Sequence, residues 1–295
     1  MHKIKIGTLV NAGSARKMLP KLIPYGFETF SLTYWESECG DAVQLAADIK
    51  EILKGTGCTI SCVSVFGNPL MDDEKGLTTR KGFEKLIKAA RLFGTDLVTG
   101  FTGRITGKPV EESIPKFKEV FTPIAALAKK NGVKIAFENC SMGGDWNCGD
   151  WNIAFSPKAW EMMFEAVPFD NIGLQWEPCH QMLQLIDPIA QLRKWAKKVF
   201  NLHGKDATIA WDVIKEYGIS GVKPFVWHRT PGFGDTNWTD IISILRMNGY
   251  EGSIDIEGWH DPVYRDELEY TGQVHALNYL KNCRGGDTVP NFDKE

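Results

Sequence analysis

The sequence contains no apolar run of the ~18–20 residues that a membrane span needs. Its opening stretch, Met1–Leu9, lacks the apolar segment of a secretion signal. None of its seven cysteines forms a Cys-x-x-Cys pair. An odd count in a long chain argues against a disulfide framework. The Cys58/Cys62 and Cys140/Cys148 spacings are too loose for a zinc ribbon. The cysteines therefore read as small buried residues, and these absences together point to the cytoplasm. Positive charge is not in excess: 34 basic and 37 acidic residues give a net charge of −3. That balance is unsuited to a duplex nucleic-acid partner, which requires a basic face. There is no low-complexity tract, no linker, and no Gly-rich phosphate turn after an early strand. Gly55-Thr56-Gly57 precedes a strand, on the wrong side for a doubly wound nucleotide-binding sheet.

What is present is a rhythm. Hydrophobic residues make up 43% and charged residues 24% of 295 positions, the mix of a globular protein long enough to bury a large core. Eight β-branched runs predict strands at Lys3–Leu9, Phe27–Leu32, Thr59–Val65, Thr95–Phe101, Val133–Glu138, Asn171–Glu177, Lys198–Gly204 and Gly252–Gly258. Amphipathic stretches predict helices at 40–55, 78–93, 112–131, 156–166, 187–198, 206–217, 238–248 and 262–282. Eight βα units predict an α/β fold, a (β/α)8 TIM barrel occupying residues 1–295 as a single domain. Two long connections, 139–155 and 218–237, are expected on the C-terminal face, where barrel sites are built.

The last residues of the later strands carry the chemistry. Strand five ends in Glu138. Strand six ends in Glu177, with His180 three residues on. Strand seven ends in His203 and strand eight in Glu257. A charge at the end of an apolar strand is costly unless paired or bound to a cation. Four on successive strands predict a divalent-ion shell. Three carboxylates and one imidazole suit Mn, Mg, Co or Zn.

The motifs Phe137-Glu138-Asn139, Trp176-Glu177-Pro178-Cys179-His180, His203-Gly204-Lys205-Asp206, Arg229-Thr230-Pro231-Gly232 and Ile256-Glu257 resemble the xylose-isomerase-like TIM barrel superfamily. Its members include sugar phosphate isomerases/epimerases, inosose dehydratases and ketose 3-epimerases. The resemblance implies one divalent ion held by Glu138, Glu177, His203 and Glu257, with substrate contacts from His180 and Arg229. Two departures stand out: Glu177 occupies a position that is usually Asp, and the next acid after Glu138 is Asp145. A DNA-repair endonuclease shares the barrel but places histidines on strands two to four. None of the six histidines here lies there.

A metal beside a sugar carbonyl stabilises a developing enediolate. With Glu138 and Glu257 on separated strands, one removes a proton and the other returns it, while His180 serves as a further base or hydroxyl contact. That is keto-sugar or polyol isomerisation or epimerisation. If the neighbouring group leaves instead, the same site is a lyase, an inosose dehydratase or keto-glycoside-cleaving enzyme, and both remain open. His228 and His260 are weaker candidates. The partner is a small carbohydrate, and a homodimer is expected by analogy with such barrels.

Ten tryptophans sort by position. Trp160, Trp195, Trp211 and Trp238 fall on helices or at their starts and are expected to pack. Trp35, Trp146, Trp151, Trp176, Trp227 and Trp259 fall near the presumed rim. The tandem Gly144-Asp145-Trp146-Asn147 and Gly149-Asp150-Trp151-Asn152 places aromatic faces and acceptors where a sugar would use them. Lys205, Asn68, Tyr34 and Phe66 are expected to line the rest of the pocket.

Overall fold

The computed structural model describes residues 3–286 and Val289; His2 and the outermost ends of the expected 1–295 span lie outside them. The strands are β1 (Lys5–Asn11), β2 (Thr29–Trp35), β3 (Thr59–Phe66), β4 (Leu97–Gly100), β5 (Lys134–Glu138), β6 (Ile172–Trp176), β7 (Val199–Gly204), β8 (Asp206–Ile209), β9 (Val226–Arg229) and β10 (Ser253–Ile256). The helices are α1 (Ala15–Leu22), α2 (Ala42–Leu53), α3 (Glu74–Ala89), α4 (Val110–Lys130), α5 (Pro157–Ala166), α6 (Cys179–Met182), α7 (Pro188–Trp195), α8 (Trp211–Tyr217), α9 (Trp238–Met247) and α10 (Glu269–Cys283).

Eight strands close a parallel barrel in the order β1-β10-β7-β6-β5-β4-β3-β2. The expected (β/α)8 architecture is what the chain adopts. Helix starts are set where Asp41, Asp73, Ser156 and Asp187 accept backbone N–H groups of the first turn, satisfying donors the helix cannot. Between barrel and helices lies a phenylalanine cluster. Phe121 meets Phe83, Phe117 and Phe137 at centroid distances of 5.5, 5.0 and 4.8 Å. Inside the barrel the filling is polar. Asn201 donates to Asp255 Oδ2 and Ser253 Oγ, both at 2.9 Å, and accepts from Gln175 Nε2 at 2.8 Å. Gly7 makes room for this network: a Cβ there would fall 2.5 Å from Asp255 Oδ1 and from the Thr29 carbonyl.

Four expectations are corrected. The helix expected at 206–217 begins as β8, and only its second half is helical. The connection expected at 218–237 contains β9, which pairs antiparallel with β8, Ala207 opposite His228. α1 was not anticipated, because its eight residues include Pro20 and three Lys/Arg residues. α3 starts earlier, and α10 later, than the apolar periodicity suggested. Among the described residues no helix is long and apolar enough to cross a membrane.

Candidate functional site

The C-terminal ends of the barrel strands open into a cavity of about 520 Å³, within the ~300–1,000 Å³ of small-molecule sites. One wall is apolar, with Leu9, Trp35, Phe66, Phe101 and Trp259. The other is ionisable, with Glu138, His180, His203, Lys205 and Glu257.

Two asparagines fix the carboxylates. Asn139 accepts from the Glu177 backbone N–H at 2.8 Å and donates to its carbonyl at 2.9 Å, locking the end of β6 to β5. Asn152 donates to the Glu138 and Cys140 carbonyls at 2.8 and 2.7 Å and accepts from Thr102. The second Asp-Trp-Asn repeat thus acts through its asparagine, which folds the strand-five loop back onto β5.

The structure gathers Glu138, Glu177, His203 and Glu257, each with a ligand atom within 4.8 Å of the others. His203 Nδ1 lies 3.7 Å from Glu138 and 3.2 Å from Glu257. Lys205 Nζ donates to Glu257 Oε1 at 2.9 Å, and His260 Nε2 lies 3.0 Å from the same oxygen. Glu177 Oε1, Glu257 Oε2 and both nitrogens of His203 are buried without a partner of hydrogen-bond geometry, although His180 Nε2 lies 2.9 Å from Glu177 Oε1 and His203 Nδ1 lies 3.2 Å from Glu257 Oε2. Buried polar atoms seldom go unpaired, and buried charges less so. Converging donors with this oxygen-rich composition fit a divalent cation.

The cluster's electrostatics are uneven. Burial, with Glu177 and Glu257 nearby, pushes Glu138 up to about 8 although His203 opposes it. Burial acts on Glu257 in the same sense but is overcome by Lys205, His203 and His260, which hold it well below the carboxylate range. Burial would lower Lys205, yet Glu257 and Glu177 keep its ammonium charged. Burial and the neighbouring Lys205 and His180 push His228 down to about 3, so its imidazole is neutral. Carboxylates in one site are thereby split into a proton-holding and an ionised member.

The other expected contacts divide. Trp35 lines the cavity and stands 5.5 Å from Trp151, which backs it. Trp146 does not reach the cavity: its indole N–H donates to Glu111 at 2.6 Å and its ring packs on the core. Asn68 is also outside the cavity wall, because its side chain donates to the Arg104 and Asp150 carbonyls, both at 2.6 Å. Arg229 turns to Asp261, 3.0 Å from Nε. Trp176 is fully buried in the core, Trp227 lies outside the wall, and Trp211 is 55% exposed rather than packed. Sequence reasoning missed Cys140, Ser141 and Met142 in the wall. It also missed Arg104, wholly buried, whose guanidinium donates to the Lys108, Asp145 and Trp146 carbonyls.

The sequence model of the xylose isomerase-like TIM barrel family matches residues 21–283. The chain belongs to that family. The uncharacterized protein YfiH of Bacillus subtilis is 24% identical over 78% of this chain and 80% of its own. An inosose dehydratase of Clostridium perfringens is 24% identical over 58% of this chain and 55% of its own, so the match spans about half of that enzyme. The apo structure of the E. coli 3-keto-D-glucoside 4-epimerase YcjR superposes with a TM-score of 0.70 at 15% identity, over 95% of this chain and all of that one; at that identity the likeness is one of fold. The protein is a xylose isomerase-like TIM barrel, and an inosose dehydratase and an inosose isomerase are among its relatives, each matched over about half of its length.

Proposed function

We propose that the chain is a divalent-metal-dependent keto-sugar or polyol isomerase or epimerase, a single 1–295 domain acting on a small carbohydrate. The observation that carries this is the convergence of Glu138, Glu177, His203 and Glu257, with buried atoms that lack hydrogen-bond geometry, three of the four lining a cavity that also presents Trp35, Phe66, Phe101 and Trp259. A divalent ion held by these four residues would polarise a substrate carbonyl and lessen the cost of charge developing on its oxygen.

The chain's own groups do the rest. Glu138 and Glu257 come from strands three steps apart around the barrel, β5-β6-β7-β10, and flank His203 from two sides. Glu257, held ionised, accepts the proton from the carbon beside the carbonyl. Glu138, approaching from the other strand, returns a proton to the carbon. The Lys205 ammonium, 2.9 Å from Glu257, contributes fixed positive charge toward the substrate oxygen. His180 Nε2 stands beside Glu177, 2.9 Å from Oε1. Trp35, Phe66 and Phe101 offer a face for sugar C–H groups.

A second reading, elimination of water from an inosose or of an aglycone from a keto-glycoside, is favoured by Lys205. A charged ammonium in the cavity wall can donate to a departing oxygen. The deciding experiment is solvent deuterium exchange by the metal-loaded protein across keto-sugars, inososes and keto-glycosides. Exchange beside the carbonyl with the carbon skeleton retained, lost in Glu138→Gln, is expected. Release of water or aglycone establishes the second reading. No exchange and no turnover with the whole panel overturns both.

A further inference from the structure

We propose that the barrel carries a second ligand site at its opposite, N-terminal end, for a small organic molecule bearing two or more phosphate groups. A cavity of about 750 Å³ opens there, larger than the one above the carboxylate cluster. It is lined by the first residues of barrel strands, among them Lys5, Thr29, Thr59, Lys134 and Ser253. Barrel interiors are ordinarily closed by layers of bulky branched side chains. Here the layer nearest this end is polar and short. Asn201 and Ser253, both buried, stand in the cavity wall and are joined to each other at 2.9 Å. The end of the barrel is therefore a bowl and not a plug.

Charge decides the class of ligand. Lys5, Arg91, Lys134 and Lys197 stand in the wall against two carboxylates, Asp96 and Glu251. That local excess of positive charge occurs in a chain whose net charge is −3. The carboxylates do little to cancel it. Glu251 pairs with Lys3, which lies outside the wall. Asp96 is shared, 3.9 Å from both Arg91 Nη2 and Lys134 Nζ. Among the described residues no carboxylate pairs with Lys5 or Lys197. The Lys5 ammonium donates to Thr59 Oγ1 at 3.0 Å, which leaves two of its N–H groups for another acceptor. Charges of one sign in a concave, low-dielectric wall focus their potential on an anion. The four cations come from β1, from β5 and from the segments leading into β4 and β7. They surround the bowl, an arrangement suited to several anionic groups on one molecule. Phe200 and Tyr250 add aromatic rings to the wall, with Lys134 Nζ 5.7 Å from the Phe200 centroid. Those rings fit the organic body of the ligand.

The two ends of the barrel share strands. Asn201 precedes His203 on β7, and Ser253 begins the strand that leads to Glu257. Asn201 Nδ2 and Ser253 Oγ both donate to Asp255 Oδ2 at 2.9 Å. A polyphosphate in the bowl would rest on the strands that carry two members of the carboxylate cluster. The site itself does not depend on the reaction proposed above.

Calorimetric titration of the full-length protein at low salt, with pyrophosphate, a hexose bisphosphate and ADP as probes, tests the site. Submillimolar binding of the bisphosphate or of ADP, tighter than that of pyrophosphate and weakening as salt is added, is expected; the tighter of the two identifies the body as sugar or base. Lys5→Gln and Lys134→Gln should each weaken it about tenfold, the loss of one charge-assisted hydrogen bond. Asp96→Asn should tighten it about threefold, because a competing carboxylate is gone. Lys134 is exposed, so Lys134→Gln reports on the site even if Lys5→Gln does not fold. No binding of either organic probe at millimolar concentration, or an affinity unchanged in both lysine variants, overturns the proposal. Pyrophosphate bound as tightly as the organic probes overturns the assignment to an organic ligand.

Discussion

Replacing Arg104 should loosen the wall of the cavity without touching its floor. The side chain is fully buried, and its fork donates from Nε to Lys108 O at 2.8 Å, from Nη1 to Asp145 O at 2.6 Å and from Nη2 to Trp146 O at 3.2 Å. It joins the loop after β4 to the loop after β5. Three charge-assisted bonds amount to roughly 4.5–9 kcal/mol at ~1.5–3 each. Burying a guanidinium with no hydrogen-bonded carboxylate offsets much of that. The freed carbonyls of Asp145 and Trp146 sit on a surface loop that water can reach. The net cost of Arg104→Met is therefore about 2–3 kcal/mol. Urea denaturation measures it. Hydrogen exchange should localise it, with amides of 141–152 exchanging about 30- to 150-fold faster at ~1.4 kcal/mol per decade. Arg104→Lys keeps the charge but loses the planar fork, so it should fall near Arg104→Met. A lysine variant as stable as the parent, with loop protection intact, would refute the reasoning.

Gly7→Ala should destabilise the barrel by about 1–3 kcal/mol or more, since the added methyl would meet Asp255 and the Thr29 carbonyl at 2.5 Å; an unshifted thermal midpoint would contradict this. Trp35→Ala should weaken sugar binding about five- to tenfold, for an aromatic platform contributing ~1–1.5 kcal/mol. Trp146→Ala should leave that affinity unchanged in calorimetry while lowering stability, because Trp146 braces Glu111. The Arg284–Glu28 pair sets an acid dependence. Burial alone would raise Glu28, but hydrogen bonds from Arg284 and the Ile6 backbone hold it below the ordinary carboxylate value. A depressed folded value means stabilisation that is complete above the unfolded value and lost as pH falls through the folded one. The stability difference between the parent and Arg284→Met should therefore shrink on acidification; a difference that grew would show the sign to be wrong.

The floor of the site was legible from sequence because barrel geometry does most of the placing. Once an apolar run is a strand, its last residue is at the rim, and Glu138, Glu177, His203 and Glu257 follow. What failed was non-local. Asp206-Ala207-Thr208-Ile209 becomes a strand only because Val226–Arg229 returns to pair with it, and no local propensity announces a partner so far along the chain. That one miss concealed how His228 reaches the cavity. Arg104 in a polar loop reads as a solvated charge; only the fold reveals three carbonyls aimed at it. The tandem Trp motif drew attention to the rings, whereas the buried hydrogen bonds belong to Asn152. A strand-end glutamate followed by Asn139 was the available signal for side chains that clamp one strand end to the next.

The ring is sealed at its seam by residues from opposite ends of the chain. β1 pairs with β10 from Lys5↔Ser253 to Thr8↔Ile256, and Arg284 donates to the Ile4 carbonyl at 2.7 Å while forking onto Glu28. On the ribosome, then, β1–β7 are complete as an open arc while the sealing strand and its clasp are still unmade. At ~5–20 residues per second, the roughly 50 residues from Gly204 to Ile256 take about 2.5–10 s. For that interval the nascent protein carries two bare sheet edges, the kind of surface that recruits wrong partners.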